Sequence, residues 1–416
     1  MDLGRLFRGS RNKLALLSTD ALLGKVDPRM FREGVAVSPD NRRLAYVKPK
    51  GDGKWCVVLD GAENDEYDSI GANSLTFSPD SLRFAYAAQR GKLHFVVVDG
   101  REGGAFEGIQ QGGLAFSPDS RRVAFSAGRG ARRFAVVDEM ESEGYDMIGE
   151  SPFFSPDSRT VVYRAQRNQK WFVVVGGVEG EAYDGIGLGT PIFSPDSHRL
   201  AYFAKRGSWF FIVENGKETG PYNAIVNASL VFSPDSSHLA YATWRGSGRF
   251  LVLDGVEDKR NHEFGAVPFV FSPDSKHLAY AARNSYGCFV VSDRTEGRLY
   301  KIIGNALVFS PEGQRLAYAA SDGPTWFVVV NRSAERGYDG VVSSLIRFSP
   351  DGQHLVYWAR TGEAAFLAVD EIKSKKYELG LDPRRLDFAA PSISQTLAYT
   401  TAGQILNIRV ELVSAT

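Results

Sequence analysis

Histidine, the side chain most often found in metal sites and as a catalytic base, recurs in this chain at matching positions. His238, His277 and His354 each directly precede the leucine of a Leu-Ala-Tyr or Leu-Val-Tyr triplet. Arginine stands in the same place in other copies, as at Arg83 and Arg122. Histidines so far apart in sequence are expected on different elements, and they give no single ligand set. We therefore interpret the position as a solvated strand start, and we predict no metal and no cofactor.

Serine and aspartate belong to a stretch, Phe-Ser-Pro-Asp-Ser, whose six full copies begin at residues 77, 116, 154, 193, 232 and 271. A serine nucleophile needs its own histidine and acid partner, which no single copy has. One carboxylate per turn is also far from the roughly 6–8 oxygens that calcium takes. Proline favours the second position of a type I turn, and serine and aspartate accept backbone hydrogen bonds there. Each copy is predicted to be a hairpin corner, and none to be catalytic.

The elements that carry these turns repeat at a nearly constant period. Ser-Pro-Asp or Ser-Pro-Glu occurs at residues 38, 78, 117, 155, 194, 233, 272, 310 and 349, and a degenerate tenth copy contains Leu397–Tyr399. The unit at residues 74–112 contains four strand-like segments in order, SLTF, RFAYAA, HFVVVDG and FEGI. Turn-separated strands in units of about 40 residues are typical of β-propellers.

The predicted fold is all-β, a single β-propeller of ten four-stranded blades, with nine blades as the alternative. The repeats of about 39 residues start near residue 35. Because the tenth unit stops before a fourth strand, we expect the apolar segment Ala21–Val26 to supply it and close the last blade. Residues 1–20 are assigned to a basic N-terminal arm, and residues 21–416 to the propeller domain.

The pattern FSPDSxRLAY followed by VVVDG resembles the WD-repeat-like repeats of TolB-type propeller proteins, in which SPDG precedes a second strand. The resemblance covers about residues 35–410. It implies a binding platform, or the non-catalytic domain of a peptidase. No companion hydrolase domain is visible in the sequence, so the resemblance favours a protein that is not an enzyme.

Composition narrows the choice of partner and compartment. The chain has 49 basic and 49 acidic side chains, so bulk attraction to nucleic acid is not expected. No stretch approaches the roughly 18 apolar residues of a membrane helix. The apolar stretch Leu14–Leu17 is shorter than a signal-peptide core. We expect a cytoplasmic protein, or a periplasmic or secreted one if a leader has been removed.

Charge varies with position in the repeat. In the first six units, basic residues predominate where the second strand turns into the third, and acidic residues follow the third strand, which predicts a disc with one basic and one acidic face. Trp55, Trp171, Trp209 and Trp326 are assigned one repeat position, and Trp244 a loop. Arginine and tryptophan are favoured at recognition hot spots. The predicted partner-binding residues are Arg90, Lys92, Arg129, Arg132, Arg133, Arg167, Lys170, Arg206, Arg245, Trp171, Trp209 and Trp244.

We therefore predict a non-enzymatic binding scaffold for a protein or peptide partner, an acidic one in particular. The partner would bind one face or the central channel. Two alternatives remain open. The first is a hydrolase or lyase whose site lies at the channel mouth. The second is a binder of anionic polymers through the sector of basic residues in the first six repeat units.

Overall fold

The computed structural model describes most of the chain in ten β-sheets. The described residues are 14–25, 34–71, 73–226, 229–246, 248–258, 263–264, 269–334, 337–362, 364–370, 372–374, 376, 382–390, 393–399 and 404–414. The chain divides into two compact units, one of residues 23–263 and the other of residues 1–22 with 264–416. Sheets are numbered here in chain order from residue 35 onward.

An N-terminal strand, β1 (Leu14–Lys25), precedes the repeats. Sheet 1 comprises β2 (Val35–Val37), β3 (Leu44–Pro49), β4 (Trp55–Leu59) and β5 (Ala62–Tyr67). Sheet 2 comprises β6 (Ser69–Ile70), β7 (Thr76–Phe77), β8 (Phe84–Arg90), β9 (Leu93–Val98) and β10 (Arg101–Glu102). Sheet 3 comprises β11 (Gly108–Ile109), β12 (Ala115–Phe116), β13 (Val123–Arg129), β14 (Arg132–Val137) and β15 (Met140–Glu141).

Sheets 4 to 6 complete the compact unit of residues 23–263. Sheet 4 comprises β16 (Met147–Ile148), β17 (Phe153–Phe154), β18 (Val161–Arg167), β19 (Lys170–Val175) and β20 (Val178–Glu179). Sheet 5 comprises β21 (Gly185–Ile186), β22 (Ile192–Phe193), β23 (Leu200–Arg206), β24 (Trp209–Glu214) and β25 (Lys217–Tyr222), and sheet 6 comprises β26 (Ala224–Ile225), β27 (Val231–Phe232), β28 (Leu239–Arg245), β29 (Gly248–Leu253) and β30 (Val256–Asp258).

Sheets 7 to 10 use the remaining strands. Sheet 7 comprises β31 (Glu263–Phe264), β32 (Val270–Phe271), β33 (Leu278–Asn284), β34 (Gly287–Ser292) and β35 (Thr295–Glu296), and sheet 8 comprises β36 (Ile302–Phe309), β37 (Leu316–Ser321), β38 (Trp326–Val330) and β39 (Ser333–Ala334). Sheet 9 comprises β40 (Gly340–Val341), β41 (Arg347–Phe348), β42 (Leu355–Thr361), β43 (Ala364–Val369) and β44 (Ile372–Lys373). Sheet 10 comprises β45 (Asp382–Ala390), β46 (Ile393–Tyr399), β47 (Gln404–Ser414) and the N-terminal strand β1.

Within each compact unit, the apolar cores lie between consecutive sheets. Successive side chains of a strand point to opposite faces, so a sheet with a neighbour on each side contributes to two cores. In sheet 4, Tyr163 and Ala165 pack against sheet 3, whereas Val162 packs against sheet 5. Small alanines at alternate positions allow the neighbouring sheets to approach closely, and Ala165 is completely buried. The Leu-Ala-Tyr triplet is therefore the packing element of the repeat, as its sequence predicts.

The boundary between sheets differs from the one predicted. The segment FEGI was expected to be the fourth strand of its unit, yet Gly108 and Ile109 pair with Gly128 and Ala127 of the following sheet. The chain crosses between sheets after Phe106, which still bridges His94 of its own sheet. The fourth strand is instead the short β10. Residues that follow the third strand in sequence are thus divided between two sheets.

The Phe-Ser-Pro-Asp-Ser stretch forms the predicted turn and also links neighbouring sheets. In sheet 2, the Ser78 hydroxyl donates to Asp80 Oδ1 at 2.5 Å, and the N–H of Ser81 donates to the Ser78 carbonyl at 2.9 Å. The Asp80 N–H then donates to Ser120 Oγ of the neighbouring sheet 3 at 3.0 Å. The same bond joins the preceding and following pairs of sheets, at Asp40–Ser81, Asp119–Ser158, Asp157–Ser197 and Asp196–Ser236. The final serine of the stretch is therefore an intersheet hydrogen-bond acceptor.

The N-terminal strand joins the last sheet, as expected from the missing fourth strand. Its sheet has the order β1, β47, β46, β45. The strand begins at Leu14, seven residues before the predicted Ala21, and therefore starts inside the segment 1–20 assigned to the arm. Residues 1–13 lie outside the described residues. Across the described part of the chain, no helix is long and apolar enough to span a membrane.

Candidate binding surface

The first two short strands of sheets 2 to 6 share one position in the sheet, so the second strand position is β8, β13, β18, β23 and β28. Each of these strands ends in an arginine that contacts the preceding sheet. Arg90 forms an ion pair with Glu102 of its own sheet at 2.9 Å, and its guanidinium lies 5.0 Å from the ring centroid of Tyr67 in sheet 1. The Tyr67 hydroxyl donates to the same carboxylate at 2.8 Å. Tyrosine, glutamate and arginine thus form one cluster across the boundary between two sheets.

The arginine–glutamate pair next to an aromatic ring recurs in the next four sheets. The ion pairs Arg129–Glu141, Arg167–Glu179, Arg206–Glu218 and Arg245–Glu257 have N–O distances of 3.0, 3.0, 2.8 and 2.8 Å. Their guanidiniums lie over Phe106, Tyr145, Tyr183 and Tyr222 of the preceding sheet. The hydrogen bond to Glu218 raises the pKa of Arg206, and the Tyr183 hydroxyl lowers the pKa of Glu218. Five arginines of the predicted binding set are therefore engaged within the fold.

Two further basic residues of that set are also paired. Arg132 contacts Asp146 at 2.8 Å and Lys170 contacts Asp184 at 2.5 Å. Each aspartate belongs to the segment that crosses to the next sheet, and Asp184 also accepts the Gly207 N–H of that sheet at 2.6 Å. The predicted separation of basic and acidic residues onto opposite faces is wrong for these pairs, because the partners are in contact. The error came from assigning the crossing segment to the wrong sheet.

The last two basic residues of the set are different. Lys92 is exposed at the hairpin between the second and third strands and forms no ion pair with any described residue. Arg133 directs its guanidinium to the carbonyls of Gly130 and Arg132, both at 3.1 Å. Its side chain lies against Gly128, where a Cβ would be 3.0 Å from the Arg133 Nη1. Lys92 is thus the freest cation of the predicted set.

The tryptophans do not share one position. Trp55, Trp171 and Trp326 lie opposite a tyrosine of the adjoining segment and are half-buried. Trp209 comes one residue earlier on its strand, opposite Arg206, and 47% of it is exposed. A shift of one residue turns a side chain to the other face of its sheet. The prediction of a common position is therefore wrong for Trp209, and the shift explains its exposure.

Trp244 is the second exposed tryptophan. It lies in the second strand of sheet 6, not in a loop, and pairs with Arg249 across the hairpin. The Arg249 guanidinium is 4.6 Å from the ring centroid, and 40% of the tryptophan is exposed. Trp209 and Trp244 thus both lie at the second-to-third-strand hairpin end of adjacent sheets 5 and 6. Trp209 is on the same face as Arg206, toward sheet 4, whereas Trp244, one residue before Arg245, is on the face of sheet 6 away from sheet 5. We call these two residues with Arg206 and Arg249 the tryptophan surface.

The histidine and arginine position before Leu-Ala-Tyr is not a merely solvated strand start. In sheet 2, the Arg83 Nε donates to Asp99 at 2.8 Å, and its Nη1 donates to the carbonyls of Ser120 and Arg121 in sheet 3. The guanidinium lies 5.3 Å from the ring centroid of Phe116 in sheet 3. Where histidine replaces arginine, its Nδ1 lies beside the equivalent aspartate, as in His354–Asp370 at 2.5 Å. The position is a structural contact.

Among the described residues, no group of three or more histidine, cysteine, aspartate or glutamate side chains is arranged to hold a metal ion. Sequence inspection overlooked the Arg–Glu pairs, although a signal for them exists. The arginine and its glutamate are 12 residues apart in all five copies. A constant offset between opposite charges in a repeat indicates a contact within the repeat.

Comparisons with known proteins reveal similarity in structure alone. No family model and no curated protein matches the sequence. A eukaryotic initiation factor structure is 13% identical with a TM-score of 0.48, and the match covers 80% of this chain and 96% of that chain. The propeller domain of the trilobed protease from Pyrococcus furiosus is 13% identical, with a TM-score of 0.30 and coverages of 63% and 96%. TolB from Acinetobacter baumannii is 15% identical, with a TM-score of 0.27 and coverages of 70% and 79%.

These likenesses are too distant to say anything about activity or partners. The antiparallel sheets of four strand positions, with a core between neighbouring sheets of each compact unit, are those of a β-propeller protein. The predicted fold class is therefore confirmed. The predicted number of blades in one ring stays a prediction.

Proposed function

We propose that this protein is a non-enzymatic binding scaffold whose protein or peptide partner docks on the tryptophan surface. The observation that carries the proposal is the exposure of Trp209 and Trp244 at the same end of adjacent sheets. Large aromatic side chains that remain half exposed are favoured as anchors at interfaces, especially beside arginine. The half-buried Trp171 belongs to the packing between strands and contributes less to this proposal.

The ion pairs change what kind of partner is expected. An acidic partner, and equally an anionic polymer, was inferred from basic residues taken to be free. Five of those arginines are neutralised by a glutamate of the same sheet. An exposed charge that is already paired adds little long-range attraction. We therefore assign most of the binding free energy to the two tryptophans and only a minor part to Lys92 and the other cations.

Rigid presentation supports the same proposal. Trp209 and Trp244 lie on strands of regular ladders, so little conformational entropy is lost when a partner binds them. We further propose a cytoplasmic location and a specific likeness to the WD-repeat-like, TolB-type propellers. Both rest on the sequence arguments given above.

The test is affinity capture with the tagged full chain from an extract of its source organism. The parent is compared with Trp209→Ser/Trp244→Ser. The matched control is Met140→Ser/Val178→Ser, since these are also exposed apolar residues but lie in the short fourth strands of sheets 3 and 4. Loss of a captured protein with the tryptophan variant alone supports the proposal. Equal capture by all three chains refutes it, as does loss only with the control variant.

A further inference from the structure

A cavity of about 540 Å³ opens between sheets 2 and 3. This volume is in the range of roughly 300–1,000 Å³ that is usual for ligand pockets. Its apolar lining comes from both sheets, and it lies away from the tryptophan surface, which belongs to sheets 5 and 6. The apolar lining residues are Val96, Val98, Phe106, Val123, Phe125 and Val136.

The cavity lies where two hydroxyl groups that are present between sheets 3 and 4 are both missing. Gly103 takes the place held by Ser142 in sheet 3, since both donate their N–H to the third strand, at 3.0 and 2.8 Å. Phe125 takes the place of the Leu-Ala-Tyr tyrosine, which is Tyr163 in the next sheet. Gly180 and Gly297 hold the place of Gly103 in sheets 4 and 7, so the loss of the tyrosine hydroxyl is the change peculiar to this pair of sheets. Where serine and tyrosine are present, they approach each other: burial raises the pKa of Tyr163, and the Ser142 hydroxyl lowers it. Between sheets 2 and 3 both hydroxyl groups are missing, and the space remains open.

The mouth of the cavity has an excess of free positive charge. Arg101 and Arg121 line it, both are exposed, and neither forms an ion pair with a described residue. Most other arginines of these two sheets are paired, as in Arg83–Asp99 and Arg122–Asp138. Four exposed carboxylates also line the cavity. Asp99, Asp138 and Glu141 are each paired with an arginine, whereas Glu139 forms no ion pair with a described residue. An apolar floor with two free guanidiniums at its rim is complementary to an apolar group next to a negative charge.

We propose that this cavity is a second binding site, which takes a large apolar side chain of a peptide flanked by carboxylates. The apolar side chain would occupy the floor formed by Phe106, Phe125 and the valines. The flanking carboxylates would pair with Arg101 and Arg121. This site is separate from the tryptophan surface. It does not depend on whether a partner docks on the tryptophan surface.

Calorimetry with three capped peptides tests the site on the full chain. The peptides are Gly-Asp-Phe-Asp-Gly, the same with alanine for phenylalanine, and the same with lysine for both aspartates. We expect the first to bind about tenfold or more tighter than the alanine peptide, because the phenyl ring is buried. We expect it also to bind more tightly than the lysine peptide. No binding of the first peptide, or equal binding of all three, overturns the proposal.

Variants of the cavity locate the binding. Leucine can be accommodated at position 103, because an added Cβ would have only ordinary contacts, 3.4 Å to the Val96 carbonyl and 3.9 Å to Glu139. Gly103→Leu should abolish peptide binding, because its side chain would occupy the cavity that Gly103 lines. Arg101→Gln/Arg121→Gln should weaken binding by about two- to tenfold. Trp209→Ser/Trp244→Ser should leave it unchanged, which separates this site from the proposed function. Unchanged affinity in Gly103→Leu, or loss in the tryptophan variant, refutes the assignment.

A variant that fails to fold does not obscure the result. Methyl NMR shifts of Val96, Val98 and Val136 in the parent chain should change on addition of the phenylalanine peptide. The milder Gly103→Ser introduces the residue that sheet 3 carries at Ser142, so it should melt like the parent and bind more weakly. Peptide-induced shifts confined to other parts of the chain contradict the proposal.

Discussion

Replacing Ser120 by alanine removes a single intersheet hydrogen bond. Its Oγ accepts the Asp80 N–H at 3.0 Å, and only 3% of the serine is exposed. A hydrogen bond of this kind contributes about 0.5–1.5 kcal/mol, and a donor left without a partner adds to the loss. We expect Ser120→Ala to lower the free energy of unfolding by about 1 kcal/mol.

Glycine at the same position should behave differently from alanine. Ser120 has a φ of 65°, a region that favours glycine, and the last two turns of this type carry Gly313 and Gly352 there. Relief of this backbone strain is worth about 1 kcal/mol and offsets the lost hydrogen bond. Ser120→Gly should therefore be close to the parent, and Ser120→Ala clearly below both.

Urea unfolding followed by circular dichroism measures these differences. Amide exchange at Asp80 reports the same bond locally and should be faster in both variants. Ser208→Ala, at an exposed turn residue with no hydrogen bond to a described group, is the control and should change the free energy by less than about 0.5 kcal/mol. If Ser120→Ala is as stable as the parent, the intersheet hydrogen bond does not stabilise the fold. If Ser120→Ala and Ser120→Gly are destabilised by the same amount, the argument from backbone strain at Ser120 is refuted.

Three other predictions follow from the same contacts. The Ser78 hydroxyl holds the pKa of Asp80 below its ordinary 3.8. The ionised Asp80 carboxylate therefore stabilises the fold above about pH 4, and this contribution is lost as the pH falls below that value. Asp80→Asn should reduce the drop in melting temperature between pH 7 and pH 3. Arg129→Glu should lower the melting temperature, because it faces a glutamate, whereas the unpaired Lys92→Glu should not. Arg164→Ala should lower the free energy of unfolding in urea by about 2 kcal/mol, because one buried and one partly buried hydrogen bond from its guanidinium to sheet 5 are lost; Arg159→Ala, at an exposed side chain, should lower it little.

Local signals in the sequence predicted the strands and turns well. The Ser-Pro-Asp turn, the alternation around Leu-Ala-Tyr and the absence of a fourth strand in the last repeat each depend on neighbouring residues or on one period. These signals gave the sheets and the pairing of the N-terminal strand with the last one. They did not determine where the chain leaves one sheet for the next, because Phe106 and Gly108 are two residues apart and pair with different sheets.

That boundary accounts for two of the ion pairs that the sequence did not predict. Once the crossing segment is assigned to the next sheet, Asp146 and Asp184 become partners of Arg132 and Lys170 rather than members of an opposite face. Likewise, the exposure of Trp209 depends on a shift of one residue along its strand. Contacts between sheets cannot be derived from periodicity alone, since the same spacing is compatible with either face of a strand.

The dissociation constant of a captured partner, measured for purified chains at low and high salt, tests the central claim most directly. The proposed tryptophan surface predicts that Trp209→Ser/Trp244→Ser weakens binding at least about thirtyfold, since an interface hot spot contributes about 2 kcal/mol or more. It also predicts that Met140→Ser/Val178→Ser binds like the parent and that the dependence on salt is weak. An unchanged constant for the tryptophan variant, or a steep loss of binding with salt, would contradict the account.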